Sequence, residues 1–149
     1  MAYPDCMTAA ERVRVVHRFK SDPATVFAAL SEHENLSRVF APAKVTRKCD
    51  GTTERNGVGS ARYLQIGPLP KFVETTTKVV PNELIEYEIT EGVMPLKGHW
   101  GRQVLTPTED GGTELEYTIG FASPLPGIAP VVGAALTNSI KRGLPKLVP

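Results

Sequence analysis

His99, in the stretch LKGHWGRQVL at positions 96–105, carries the side chain best suited to proton transfer near neutral pH. It could act as a general acid or base. The simpler alternative is a hydrogen-bonded or rim histidine. Strand alternation places Lys97, His99, Gly101, Gln103 and Leu105 on one face, with Trp100, Arg102 and Val104 on the other. If Leu105 faces the interior, His99 and Gln103 do too. If Val104 does, Trp100 and Arg102 take their place. A slip of one residue exchanges the faces, so both registers stay open. Gly98 and Gly101 mark either a bulge or a close approach of another group.

His17 lies on the apolar parity of an N-terminal strand, where it is either a packed residue or a second proton-transfer candidate. His33 falls in a predicted helix and is expected to be exposed. The histidines lack metal-ligand spacing, so no metal site is expected. Tyr117 shares a parity with Leu115, Ile119 and Phe121 and should point inward. A buried phenol needs a partner, so Tyr117 is a ligand contact, a proton-transfer candidate or an internal hydrogen-bonder. Tyr87 and Tyr63 resemble it. Arg62, Arg102 and Glu74 are expected on a solvated sheet face. An inward arginine facing Glu74 would instead suggest recognition of a polar ligand group. Thr75, Thr76 and Thr77 read as strand formers. Gly57-Val58-Gly59 lacks the context of a phosphate loop, and no Gly-x-Ser-x-Gly is present. No cofactor is expected.

These residues sit in a chain of 149 residues, the length of one domain. Its 17 basic and 16 acidic residues nearly cancel, which argues against a nucleic-acid binder. No apolar run is long enough for a transmembrane helix, and Met1–Glu11 has no signal-peptide core. That segment reads as a loose tail. Cys6 and Cys49 make neither a disulfide framework nor a zinc site. The expected location is cytoplasmic.

The positioning elements follow from periodicity and punctuation. Arg12–Lys20 alternates as a strand. Ser21-Asp22-Pro23 opens a helix holding Val26, Phe27 and Leu30, and a second short helical piece spans Glu32–Phe40. Strand-like runs follow at Ala43–Cys49, Gly59–Ile66, Lys71–Val80, Leu84–Thr90, Leu96–Thr106 and Thr113–Phe121, separated by Gly, Pro, Asn and Asp turns. A last helix starts near Pro130, with an apolar stripe of Val131, Val132, Ala135, Leu136, Ile140 and Leu144. The order predicts an α+β fold: a seven-stranded antiparallel sheet, two short helices between its first and second strands, and a long C-terminal helix over one face. A curved sheet around one helix leaves a gap, which is the candidate binding site.

The segments FKSDPATVFAALSEHENLSRVF (19–40), RNGVGSARY (55–63), LPKFVETTTKVVPNELIEYEIT (69–90) and VLTPTEDGGTELEYTIGF (104–121), with the closing helix, resemble the START-like (SRPBCC) superfamily. The resemblance is to its polyketide cyclase/dehydrase-like branch and spans roughly residues 12–147 of 149. It implies a helix-grip fold, one START-like domain over 1–149, and a cavity for an apolar or amphipathic molecule. It brings no shared catalytic motif. Two departures are Pro130 and Pro145, expected to shorten or bend the last helix, and a second helix whose aromatic content is reduced to Phe40.

In that fold the expected ligand-binding residues are Tyr63, Val73, Thr75, Tyr87, His99, Gln103, Tyr117, Ile119, Phe121, Val132, Leu136 and Ile140. Catalytic candidates are His99, His17 and Tyr117. The loops 67–70 and 91–95 would frame the mouth, with Leu69, Met94 and Leu96 as a gate. Three functions remain open. The first is binding of a lipid, fatty acid or polyketide-like molecule, driven by apolar burial. The second is a cyclase or dehydratase with aldol-type chemistry. The third is a non-catalytic interaction protein with a filled core. The expected partner is a hydrophobic small molecule, and the expected state a monomer or homodimer.

Overall fold

The computed structural model describes residues 9–92 and 95–149. Cys6, Met94 and the first eight residues of the expected tail lie outside the described residues. Ala9 and Ala10 are held in place, because their carbonyls accept from Trp100 Nε1 at 3.0 Å and from the Phe121 amide at 3.1 Å.

The chain runs β1 (Glu11–Phe19), α1 (Pro23–Ser31), a 3-10 turn (His33–Asn35), α2 (Leu36–Val39), β2 (Lys44–Cys49), β3 (Ala61–Gln65), β4 (Phe72–Val80), β5 (Leu84–Glu91), β6 (Lys97–Pro107), β7 (Thr113–Ala122), α3 (Ile128–Gly143) and a 3-10 turn (Leu144–Lys146). The strands form one antiparallel sheet in the order β1-β7-β6-β5-β4-β3-β2. Every connection along it is a hairpin except the one from β1 to β2, which carries α1 and α2. Local chemistry sets the helix start: Asp22 accepts from the Thr25 amide at 2.9 Å, and Pro23 occupies the first turn.

The register of β6 resolves the ambiguity in its sequence. Leu105 is buried opposite Leu115, Gln103 opposite Tyr117 and Gly101 opposite Ile119, so this parity faces the helix. Trp100 lies on the other face, over Gly120, where a Cβ would come within 2.1 Å of its Nε1. Arg102 is also outward, with its Nε 3.2 Å from Glu86 Oε2. Gly98 has φ +63° at an irregularity in the β6–β7 register, which is the bulge its spacing suggested.

The position of α3 creates the cavity. Its 16 residues run through Pro130, which sits in the first turn where no amide hydrogen is needed, and Pro145 falls in the turn beyond. The helix is therefore long, contrary to the expected shortening. Gly133 lets it lie on β1, with a Cβ there 3.0 Å from the Arg12 carbonyl. Gly143 lets it meet α2, with a Cβ there 2.4 Å from the Arg38 carbonyl. Ile140 and Leu144 seal that side. The helix is thus held toward the β1 edge, and its neighbouring stripe looks across the sheet at β3–β5.

Candidate functional site

A cavity of about 340 Å³ occupies that space. The helix contributes Val131, Val132, Ala135, Leu136 and Ser139. Facing them are Leu64 and Ile66 from the β3 end, Phe72 and Glu74 from β4, Tyr87 and Ile89 from β5, His99 from β6 and Ile119 from β7. Phe40, Pro42, Ala43 and Leu96 complete the wall. The lining is overwhelmingly apolar, and its ionisable groups are Glu74, Tyr87 and His99.

These three meet on the sheet floor. Arg62 and Glu74 are cross-strand partners on β3 and β4, and both are buried. Arg62 Nε donates to Glu74 Oε1 at 2.9 Å. Arg62 Nη2 lies 2.8 Å from the same oxygen but without hydrogen-bond alignment. The guanidinium also stacks on the Tyr87 ring, 4.5 Å from its centroid. Glu74 Oε2 faces His99 Nε2 at 3.7 Å. On the other side of the imidazole, Nδ1 accepts from the Ile89 amide at 3.1 Å. That bond fixes the neutral tautomer, because Nδ1 is spent as an acceptor and Nε2 carries the hydrogen toward Glu74. Burial lowers the His99 pKa and Arg62 lowers it further, while Glu74 raises it; the net direction is down.

Tyr87 is seated by Gly101 on the adjoining strand, where a Cβ would come within 2.2 Å of the ring. Its hydroxyl bonds to that of Tyr117, which also interacts with the Gln103 side chain. Burial raises both phenol pKa values, so both keep their protons. A second buried polar group lies near this floor. His33 Nε2 is 3.1 Å from Ser60 Oγ, which itself donates to the Gly57 carbonyl at 2.7 Å. Burial and then Arg62 push the His33 pKa down to about 3. His33 is therefore a packed interior residue and not the exposed one its helix position suggested.

Of the residues singled out from the sequence, Tyr87, His99, Ile119, Val132 and Leu136 line the cavity. Tyr117 and Gln103 are buried on the same face of the sheet and do not line it. Phe121 and Ile140 are sealed in the core. Tyr63, Val73 and Thr75 take the opposite sheet parity from Leu64, Phe72 and Glu74 and so face away from the cavity. Tyr63 stands instead beneath Lys71 at 5.5 Å, and Thr75 pairs with Thr90 through their hydroxyls at 2.7 Å. His17 is on the inner parity but packs edge-on against Phe19, with ring centroids 4.6 Å apart. Only His99 among the three catalytic candidates reaches the cavity. Arg62 and Glu74 were expected on the solvated face; both face in, while Arg102 faces out as expected. Their inward parity had a sequence signal: Leu64 and Ile66 share it with Arg62, and Phe72 shares it with Glu74.

The fold is shared with solved structures of low sequence identity. A START superfamily protein from Mycobacterium smegmatis matches with a TM-score of 0.70 and 16% identity, covering 91% of this chain and 92% of that one. A Thermobifida fusca protein solved by NMR matches at 0.70 and 16%, covering 91% and 89%. The Zhui aromatase/cyclase from Streptomyces sp. R1128 matches at 0.64 and 16%, covering 91% and 87%. No curated protein matches the sequence. The model of the family described as polyketide cyclase/dehydrase and lipid transport matches residues 10–149, and the chain belongs to that family, with the START-like helix-grip architecture.

Proposed function

We propose that this protein binds an apolar or amphipathic small molecule between the sheet and α3. The observation that carries this reading is the open apolar cavity of about 340 Å³ with a small polar floor. Pockets that hold small molecules have this makeup: apolar walls drive affinity and a few placed polar groups set orientation. The volume bounds the ligand. An engineered apolar cavity of about 150 Å³ takes benzene, so this one has room for roughly two fused rings or a short chain of similar bulk. A filled core, which the interaction-protein reading requires, does not fit an opening of this size.

Native mass spectrometry of the purified protein tests the proposal. A mass excess over the denatured chain, or a new adduct after incubation with short fatty acids, sterol fragments and bicyclic aromatics, is the expected result. No adduct with any of them would overturn it.

A second reading is enzymatic, and one observation favours it. His99 Nε2 and Glu74 Oε2 both face the cavity, 3.7 Å apart. In a cyclase or dehydratase working by aldol-type chemistry, Glu74 would accept a proton from carbon beside a carbonyl. The Nε2–H of His99 would donate to the oxygen where charge develops. Turnover of a poly-β-ketone substrate that vanishes in His99→Ala, with ligand binding retained, is the result this reading requires.

A further inference from the structure

The donors and acceptors on the cavity floor are asymmetric, and their pattern restricts what a ligand can place there. Glu74 Oε1 is occupied by Arg62. Oε2 faces His99 Nε2 at 3.7 Å, beyond hydrogen-bond range. His99 Nε2 is an N–H by necessity, because Nδ1 accepts from Ile89. With the Tyr87 hydroxyl bonded to that of Tyr117, Glu74 Oε2 and His99 Nε2–H face each other as an acceptor and a donor, separated by a gap that a single ligand oxygen can bridge.

We infer that the site selects a neutral hydroxyl, an alcohol or phenol, over a carboxylate or an ether at the buried end of its ligand. This rests on the reading of the cavity as a binding site. The argument is one of inventory. A hydroxyl donates its hydrogen to Glu74 Oε2 and accepts from His99 Nε2–H, which satisfies both groups. A ketone or ether oxygen accepts from His99 but presents lone pairs to Glu74. A carboxylate adds a buried negative charge beside Glu74. Arg62 does not reach it, because that guanidinium lies over the Tyr87 ring and is not part of the cavity lining. An ammonium group satisfies Glu74 but meets the His99 N–H head-on.

Three probes of one shape test this: 2-naphthol, 2-methoxynaphthalene and 2-naphthoate, titrated by calorimetry at neutral pH. There a phenol keeps its proton and an aromatic carboxylate has lost it. Hydrogen bonds to charged groups set the scale, so the naphthol should bind at least about tenfold more tightly than either relative. In Glu74→Gln that preference should shrink to within about threefold. The double variant Arg62→Met/Glu74→Leu, which removes the acceptor without stranding a buried charge, gives the same readout if Glu74→Gln does not fold. Equal binding of all three probes, or tighter binding of the naphthoate, overturns the inference and leaves the binding reading intact. A preference that survives both substitutions also overturns it. Binding of none of the three overturns the cavity reading for bicyclic ligands, and this inference with it.

Discussion

Replacing Arg62 by Met and Glu74 by Leu, singly and together, probes the energetics of the cavity floor. The two side chains are 4% and 5% exposed, so water screens neither. Two unit charges about 4 Å apart attract by about 4 kcal/mol at an effective dielectric near 20. Desolvation of both groups offsets most of that gain, so the intact pair contributes little net stability. Removing one partner leaves the other's desolvation uncompensated. Each single substitution should therefore cost about 3–5 kcal/mol. At about 2–4 °C per kcal/mol for a chain of this size, the melting temperature should fall by roughly 6–20 °C. In Glu74→Leu the stranded guanidinium keeps its contact with the Tyr87 ring but loses its carboxylate. The double variant has no buried charge at these positions and preserves approximate volume, so it should return to within about 1 kcal/mol of the parent. Urea denaturation of the four proteins measures the cycle. Singles that each cost less than about 1 kcal/mol, or a double variant equal to their sum within about 0.5 kcal/mol, would refute this reasoning.

Gly101→Ala should destabilise by about 1–3 kcal/mol and alter the near-ultraviolet signal of the tyrosines. The added Cβ would lie within 2.2 Å of the Tyr87 ring, so an unshifted melting curve contradicts the seating of Tyr87 on Gly101. His33 makes stability pH-dependent. Its folded pKa is near 3, below its ordinary value of 6.5, so between these the unfolded chain binds the extra proton. Stability should be steady above about pH 6.5 and fall by up to a few kcal/mol as pH drops toward 4. His33→Gln should flatten part of that fall, and an unchanged slope argues against a buried neutral histidine. Ala135→Trp places bulk on an exposed part of α3 that lines the cavity. It should keep the fold, within a few degrees of the parent melting temperature, and abolish ligand adducts in native mass spectra. Undiminished uptake would place the ligand elsewhere.

Local signals in the sequence were enough for the architecture. Alternation in RVRVVHRFK, the Asp22-Pro23 helix start and the Gly, Pro and Asn turns act over a few residues. They specify which segments are strands and which end is a helix before any tertiary contact forms. The helical stripe placed Val132 and Leu136 at the cavity, and strand parity placed Tyr87 and Ile119 there. It failed for Tyr63, Val73 and Thr75, because strand parity is a two-way choice that an apolar or threonine-rich run does not decide. It failed also for Arg62 and Glu74, because a charged residue taken alone belongs in water. Only the pairing of β3 with β4 sets the two opposite each other, where each offsets the other's desolvation. Likewise the choice between His99 and Trp100 as the inward residue of β6 was made at long range. Gly120 on β7 receives Trp100 on one face of the sheet, and Gly101 receives Tyr87 on the other. The cavity itself belongs wholly to the tertiary structure: it exists because Gly133 and Gly143 draw α3 toward β1 and α2, leaving β3–β5 uncovered.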